Sequence, residues 1–169
     1  MSASAQEHKD QAPERIGCAI VTVSDTRTPE TDTSGALIRE RLESAGHTVI
    51  DYRIVRDEPA EIGPALDELV AQTHCDAVIF NGGTGIARRD TTFDVIDARL
   101  EKRIDGFGEL FRYLSYTEIG SAAMMSRASA GVYRGTIVLL TPGSSNAVRL
   151  AMDKLILPEL THMVYEIRK

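Results

Sequence analysis

A glycine-rich turn that follows a short apolar run constrains the fold of this chain most. Residues 77–80, Ala-Val-Ile-Phe, predict a buried strand, and Phe93, Ile96 and Leu100 then recur at helical spacing. Between these patterns lies the segment 81–92, Asn-Gly-Gly-Thr-Gly-Ile-Ala-Arg-Arg-Asp-Thr-Thr. In an open α/β sheet, a turn of this kind lies at the carboxyl end of a strand, where ligands bind.

The composition of this turn suits a ligand that contains phosphate. Gly82, Gly83 and Gly85 allow the backbone to approach a ligand closely and to direct its N–H groups at an anion. The neighbouring arginines, including Arg89, can balance phosphate charge, and Asp90 can hold a metal ion or cap the following helix. A purely structural turn is the alternative, because the segment matches neither the dinucleotide fingerprint nor the P-loop pattern.

Apolar runs and helical patterns alternate along the rest of the chain. Strands are predicted at residues 16–23, 47–55, 77–80 and 136–140, the second of them near an edge of the sheet. Helices are predicted at residues 33–45, 62–70, 93–100, 106–114, 121–130, 146–157 and 160–167. This alternation predicts a three-layer α/β/α domain, with a mainly parallel sheet and helices on both of its faces.

Helix ends are marked by glycine and proline. Gly46 is placed to end the first helix in the left-handed conformation, and Asp32 or Thr33 can cap its start. Pro64 predicts either a kink in the second helix or a later start of its regular part. Pro158 is expected to end the helix that precedes it.

Length and composition restrict the class of protein. The 169 residues predict a single domain at residues 15–169, preceded by a polar, disordered arm at residues 1–14 without the apolar segment of a signal peptide. The net charge of −6 argues against a nucleic-acid or membrane-surface binder. No apolar run reaches transmembrane length. Cys18 and Cys75 are predicted to be buried, reduced thiols, as in a cytoplasmic protein.

Several motifs, in order and with consistent spacing, make the chain resemble the MoaB/MogA family of molybdenum cofactor biosynthesis proteins, which is related to the G domain of gephyrin. They are Thr-Val-Ser-Asp at 22–25, Asp-Thr-Ser-Gly at 32–35, Asn-Gly-Gly-Thr-Gly at 81–85 with Arg-Asp at 89–90, Gly-Phe-Gly-Glu at 106–109, Ser-Arg at 126–127 and Pro-Gly-Ser at 142–144. The resemblance covers residues 15–165, and the segment 109–120 looks particularly like the MoaB branch.

The resemblance implies the molybdopterin-binding type of α/β/α fold and the adenylylation of molybdopterin. In that reaction the phosphate of the pterin attacks the α-phosphate of ATP, with Mg²⁺ as cofactor, and pyrophosphate leaves. Homotrimers, or hexamers built as dimers of trimers, are the implied assemblies, and other proteins of the cofactor pathway are possible partners. The alternatives are a non-catalytic molybdopterin-binding scaffold and, less favoured, an unrelated nucleotide-binding regulator.

Two carboxylates carry the implied chemistry. Asp90 matches the acidic residue that follows the glycine turn and would hold Mg²⁺, which stabilises the charge that develops at the α-phosphorus. Asp57 matches a second acidic position of the family. For both residues the structural alternative is an N-cap, because each precedes a helical pattern.

The remaining implied site residues would bind the pterin and the nucleotide. They are Ser24, Asp25, Ser34, Gly35, Asn81, Gly82, Gly83, Thr84, Gly85, Arg89, Glu109, Pro142, Gly143 and Ser144. Residues 142–144 would bind the terminal phosphate of the pterin, with ordinary helix capping as the alternative. Glu109 would accept hydrogen bonds from the pterin ring or lie on an exposed helix face. Arg112 and Arg127 would offset phosphate charge or be solvated surface residues.

Overall fold

The computed structural model describes residues 12–169 of the chain. The predicted arm therefore lies largely outside the described residues, and residues 12–14 belong to no helix or strand. No helix within residues 12–169 is long and apolar enough to cross a membrane. The helices and strands, in chain order, are β1 (Gly17–Val23), α1 (Thr33–Ser44), β2 (Thr48–Val55), α2 (Pro59–Val70), β3 (Ala77–Asn81), α3 (Thr92–Asp97), β4 (Lys102–Arg103), α4 (Asp105–Ile119), a 3₁₀ helix (Gly120–Met125), β5 (Ser129–Tyr133), β6 (Thr136–Thr141), α5 (Ser145–Ala151), a π-helical turn (Met152–Ile156) and α6 (Leu157–Arg168).

The six strands form one sheet in the order β2-β1-β3-β6-β5-β4. The first four strands of this order are mutually parallel, whereas β5 runs antiparallel to β6 and to β4. Ile20 pairs with Ile79, and Ile79 pairs with Leu139, so the centre of the sheet is apolar on neighbouring strands. The predicted mainly parallel sheet is confirmed, and β2 lies at its edge as predicted.

Helices cover both faces of this sheet, as the predicted three layers require. On one face Ile38, Leu42 and Phe111 belong to the core that α1, α4, α5 and α6 form with the sheet. On the other face Ile62 and Leu66 belong to the core under α2 and α3. Both strand-associated thiols are buried as predicted, and burial raises the pKa of Cys18 and raises that of Cys75 to about 12.

The helix predicted at residues 121–130 is wrong in its second half. A 3₁₀ helix ends at Met125, and the chain then enters the antiparallel strand β5. A two-residue turn joins β5 to β6, in which Arg134 and Gly135 both have positive φ, 47° and 73°. This turn matches the twist of a hairpin, and pairing with β6 outweighs the helical preference of an alanine-rich segment.

The predicted helix end at Pro158 is also wrong, as is the later helix start that was one alternative for Pro64, whereas the capping predictions are confirmed. Helix α2 begins at Pro59 and continues through Pro64, because burial of its apolar face outweighs the loss of one backbone hydrogen bond. Pro158 does not end a helix, since the π-helical turn before it leads directly into α6. Asp32 caps α1 by accepting a hydrogen bond from Gly35 N at 3.0 Å, and Gly46 has a φ of 86°.

Candidate functional site

The predicted site forms where the parallel strands β1, β3 and β6 end at the same edge of the sheet. Gly82 N donates to the carbonyl oxygen of Thr141 at 3.0 Å, which ties the end of β3 to the end of β6. A Cβ atom added at Gly143 would lie 3.2 Å from the Cα atom of Gly82. The turn at 81–92 and the turn at 142–144 are therefore in direct contact, although about sixty residues separate them.

The backbone of the glycine turn has a conformation that requires glycine. Gly82 and Gly83 have φ values of 105° and 63°. A Cβ atom at Gly82 would come within 2.3 Å of the carbonyl oxygen of Val23. A Cβ atom at Gly83 would lie 2.1 Å from Thr92 Oγ1 and 2.5 Å from Asp57 Oδ2. Because Gly82 and Gly83 have no side chains, the turn can pack against β1 and against Asp57.

Asp57 is buried and holds the far end of the turn. Its Oδ1 atom accepts hydrogen bonds from Thr91 N at 2.9 Å and from Thr91 Oγ1 at 2.7 Å. The N-cap of α2 is Glu58, and its side chain makes no capping hydrogen bond. The N-cap alternative for Asp57 is therefore wrong, since its carboxylate reaches across to a loop 34 residues away.

Asp90 closes over the middle of the same turn. Its Oδ2 atom accepts a hydrogen bond from Ala87 N at 2.8 Å, and a Cβ atom at Gly85 would lie 2.6 Å from this oxygen. The N-cap of α3 is Thr91, so the N-cap alternative for Asp90 is wrong as well. Within residues 12–169 its Oδ1 atom has no hydrogen-bond partner, which leaves one carboxylate oxygen for a ligand.

A buried polar network supports the turn from below. Asn81 Nδ2 donates to Thr22 Oγ1 at 2.8 Å, and Ser34 Oγ donates to Asn81 Oδ1 at 2.6 Å. Tyr52 Oη donates to Asp32 Oδ2 at 2.5 Å. Asn81 and Ser34 are fully buried, and they were predicted to bind substrate. The structure places them beneath the turn, where they hold it on β1 and α1.

The ionisation of this network favours a charged Asp32. Burial alone would raise the pKa of the Asp32 carboxyl, but hydrogen bonds from Thr22, Tyr52 and Gly35 outweigh it and lower this pKa. Burial and the neighbouring Asp32 raise the pKa of Tyr52 to about 12. The sequence predicts Asp32 only as a helix cap, yet its carboxylate also accepts hydrogen bonds from the side chains of Thr22 and Tyr52.

We expect Asp32→Asn to make the domain less stable at neutral pH, by about 1–3 kcal/mol, because charge-assisted hydrogen bonds are weakened. The folded pKa of Asp32 is lowered, so its contribution is present above the unfolded pKa of about 4 and is lost as the pH falls through the folded value. Urea unfolding at pH 7 and at pH 3 measures the difference. An equal loss at both pH values would contradict the assignment. The control is Asp153→Asn, which changes an exposed carboxylate in the π-helical turn.

Two predicted site residues lie in an exposed ion-pair cluster beside the turn. Arg89 donates to Asp25 Oδ2 at 2.6 Å and to Glu58 Oε1 at 3.0 Å. The Arg89 guanidinium lowers the pKa of Asp25, whose other oxygen accepts from Asp57 N at 3.3 Å. Asp25 and Glu58 therefore compete with a phosphate for the Arg89 guanidinium, whose Nε–H neither carboxylate engages.

Two open cavities are lined in part by residues that contact the turns. The larger, about 530 Å³, is lined by residues that include Ser24, Asp25 and Tyr52. The smaller, about 320 Å³, is lined by residues that include Phe93 and Arg127. Neither lining includes a residue of the turns at 81–92 and 142–144, so the residues that hold the turns bound these cavities.

Residues 19–162 match the family model described as "Probable molybdopterin binding domain". The chain belongs to the MoaB/MogA family. A protein of Bacillus subtilis (strain 168) named "Molybdenum cofactor biosynthesis protein B" is 56% identical over 167 residues, which cover 98% of each chain. A crystal structure with the same protein name superimposes with a TM-score of 0.90 at 53% identity and covers 94% of this chain and 99% of that one.

A structure from Pyrococcus furiosus, described as a tungsten cofactor synthesizing protein MoaB, has a TM-score of 0.85 at 37% identity and covers 94% of this chain and 100% of its own. These comparisons confirm the resemblance to the MoaB branch and the α/β/α fold.

Sequence reasoning missed Arg27 in this MoaB/MogA domain. Its guanidinium donates to Asp32 Oδ1 at 3.1 Å, to Ser34 Oγ, and to the carbonyl oxygen of Gly143 at 2.8 Å. It therefore joins the loop after β1 to the turn after β6. No local pattern signals this role, since Gly143 is 116 residues away along the chain.

The structure leaves Glu109 apart from the other site residues. Glu109 is exposed on α4, as its structural alternative predicted, and it does not line either cavity described above. Ser144 caps α5 and accepts from Ala147 N at 3.3 Å. The capping alternative for this residue is confirmed, and the hydroxyl hydrogen of Ser144 is still able to donate to an anion.

The carboxylates of the site suit a Mg²⁺ ion that binds together with a nucleotide. Within residues 12–169 no group of three or more histidine, cysteine, aspartate or glutamate side chains could hold a metal. Mg²⁺ usually keeps several waters and binds through one or two carboxylates together with substrate phosphates. The unengaged Oδ1 atom of Asp90 fits that mode.

Proposed function

We propose that this protein acts in molybdenum cofactor biosynthesis by binding molybdopterin and Mg-ATP and adenylylating the pterin. The observation that carries the proposal is the convergence of two strand-end turns with Asp57 and Asp90, neither of which caps a helix. Asp57 positions the turn through Thr91, and Asp90 keeps one carboxylate oxygen unengaged at the edge of the sheet where ligands bind, which suits phosphate chemistry with Mg²⁺. The names of the relatives agree with this role.

In the proposed reaction, an oxygen of the pterin phosphate attacks the α-phosphorus of ATP. The bond between the α-phosphorus and the bridging oxygen breaks, and pyrophosphate leaves with the electron pair. Asp90 would hold the Mg²⁺ ion, which neutralises triphosphate charge when it is bound. Backbone N–H groups of the glycine turn would orient the phosphates, and Asp57 would hold Thr91, and through it the end of the turn, in place.

The turn at residues 142–144 would bind the pterin phosphate. Ser144 presents a hydroxyl at the start of α5, and Gly143 packs against the glycine turn. Because a side chain at Gly143 would be in contact with Gly82, this residue keeps the two turns close. Close turns place the attacking phosphate next to the nucleotide, which lowers the entropic cost of the reaction.

A second candidate function is that of a scaffold that binds molybdopterin without chemistry. The observation that favours it is the pairing of Arg89, an arginine of the glycine turn, with both Asp25 and Glu58, which offsets its positive charge. A nucleotide phosphate would compete with these carboxylates. Calorimetry that detects molybdopterin binding but no Mg-ATP binding would favour this candidate.

Product detection tests the adenylylation proposal directly. Purified protein is incubated with molybdopterin and Mg-ATP, and adenylylated pterin and pyrophosphate are quantified by liquid chromatography and mass spectrometry. We expect both products in equal amounts, and neither when Mg²⁺ is chelated. Pterin binding without either product would contradict catalysis and leave the scaffold function.

We further propose that the chain assembles as a homotrimer or as a hexamer. The exposed large apolar side chains of the described residues lie on the glycine turn and along residues 110–125: Ile86, Leu110, Tyr113, Tyr116, Ile119, Met124 and Met125. Clustered apolar exposure of this kind is typical of an interface.

Light scattering should give a multiple of three chains for the wild type and a smaller particle for Tyr113→Glu. The control is Glu43→Lys, at an exposed position of α1. A wild-type monomer would contradict the proposal.

A further inference from the structure

Arg127 makes an unusual set of contacts with the glycine turn. Its Nε atom donates to the carbonyl oxygen of Gly85 at 2.9 Å and more weakly to that of Thr84 at 3.4 Å. Its Nη2 atom donates to the carbonyl oxygen of Asp90 at 2.8 Å. The backbone N–H of Arg127 also donates to Thr84 O, at 3.3 Å. One residue thus binds both halves of the turn.

A second set of contacts fixes the guanidinium itself. Nη1 of Arg127 donates to both carboxylate oxygens of Asp94, at 2.9 and 3.0 Å. The guanidinium carbon lies 4.8 Å from the centre of the Phe93 ring, within cation–π distance. The side chain is 26% exposed, so it is not the solvated surface arginine that was the structural alternative. Most of its donors are engaged, which leaves few for a phosphate.

These contacts determine where the backbone N–H groups of the turn point. In a trans peptide the carbonyl oxygen and the following N–H point in opposite directions. Arg127 binds the carbonyl oxygens of Thr84 and Gly85, so the N–H groups of Gly85 and Ile86 are directed away from it. Within residues 12–169 neither of these N–H groups has a hydrogen-bond acceptor. Arg127 also binds the carbonyl oxygen of Asp90, so the following N–H, that of Thr91, is likewise directed away from Arg127. This N–H donates to Asp57 Oδ1.

We propose that Arg127 is a positioning residue that holds the turn at 84–90 so that the N–H groups of Gly85 and Ile86 face an anionic ligand. The ligand is a phosphate group, and its identity as molybdopterin or ATP rests on the proposed function. Arg127 fixes the conformation of the turn through its hydrogen bonds to carbonyl oxygens. An arginine that bound the phosphate directly would instead contribute its positive charge. A lysine keeps the charge but lacks the planar fork that reaches several acceptors at once.

The test compares Arg127→Lys, Arg127→Ala and Asp94→Asn with a matched control, Arg41→Ala. The Arg41 side chain is 29% exposed and pairs with Asp153, but it makes no hydrogen bond to the turn. Amide hydrogen exchange is measured at Ala87 and Asp90, whose N–H groups are bonded within the turn. The affinities for molybdopterin and for Mg-ATP are measured by calorimetry on the same full-length proteins, well below their melting temperatures.

We expect exchange at these two amides to become at least about tenfold faster in Arg127→Lys and Arg127→Ala, with core amides of β3 unchanged. The affinity for at least one of the two ligands should fall about tenfold or more in both variants. Asp94→Asn, which leaves the carbonyl contacts in place, should give a smaller change in the same direction. Arg41→Ala should behave as the wild type. Wild-type affinity in Arg127→Lys would overturn the proposal, since charge alone would then suffice, and so would unchanged exchange in Arg127→Ala.

The two proposals fail in different ways. A wild-type protein that binds neither molybdopterin nor Mg-ATP would contradict the proposed function. The exchange rates at Ala87 and Asp90 would then still decide whether Arg127 orders the turn. Faster exchange with unchanged affinity would overturn the positioning role of Arg127 while leaving the proposed function intact.

Discussion

Asp90→Asn is expected to lower the rate of molybdopterin adenylylation by about 10²–10³-fold, the range seen when one group that stabilises a transition state is removed. The amide keeps an oxygen that accepts from Ala87 N, so the turn should retain its conformation. What is lost is the negative charge at the atom proposed to hold Mg²⁺. Product formation with saturating molybdopterin and Mg-ATP, measured by mass spectrometry, gives the rate.

The control for Asp90→Asn is Asp153→Asn, an equal change of charge at a surface carboxylate that pairs with Arg41. Its rate should match that of the wild type. The melting temperatures of both variants should lie close to that of the wild type, because neither removes a buried contact. A wild-type rate in Asp90→Asn would contradict the catalytic role of this carboxylate, and the mechanism with it.

Gly82→Ala is expected to have the largest effect on stability, with a loss of roughly 2–6 kcal/mol. Backbone strain at a positive φ costs about 1–3 kcal/mol, and overpacking costs typically about 1–3 kcal/mol more. The φ of Gly82 is 105°, and the added Cβ atom would lie 2.3 Å from the carbonyl oxygen of Val23. A backbone atom in the central strand β1 has little freedom to move away. Urea unfolding followed by circular dichroism measures the loss.

Gly106→Ala is the matched control, since an added Cβ atom at Gly106 meets nothing within 4 Å. Gly106 is the second residue of α4, where alanine is favoured over glycine by up to about 1 kcal/mol. We therefore expect this variant to be as stable as the wild type or slightly more stable. Equal stability of Gly82→Ala and Gly106→Ala would show that the turn relaxes easily, against the close packing described above.

The candidate site combines a rigid support with a turn held from two sides. Beneath it, Asn81 joins β1 and α1 through buried hydrogen bonds. Beside it, Arg127 and Asp57 bind the peptide that joins Asp90 to Thr91. Arg127 donates to its carbonyl oxygen, and Asp57 accepts from its N–H. A site that is preorganised in this way loses less entropy when it orders around a ligand.

Some features could be predicted from short stretches of sequence because their causes are local. The continuous apolar run of β1, the capping of α1 by Asp32 and the left-handed Gly46 depend on residues within a few positions. The same holds for a glycine turn after β3. Local patterns failed where tertiary pairing competed with them. Ser129 and Ala130, which were predicted to continue a helix, pair with β6 as part of strand β5.

The sequence by itself determined the alternation of strands and helices and the family, since apolar periodicity and motif order are properties of the chain. Motif order also singled out Asp57 and Asp90 as candidate site residues. Only the tertiary structure decided what those residues do. Asp57 and Asp90 precede helices and resemble caps, yet they bind Thr91 and Ala87 instead. Hydrogen-bond partners are chosen by distance in space, and the fold brings together groups up to 116 residues apart.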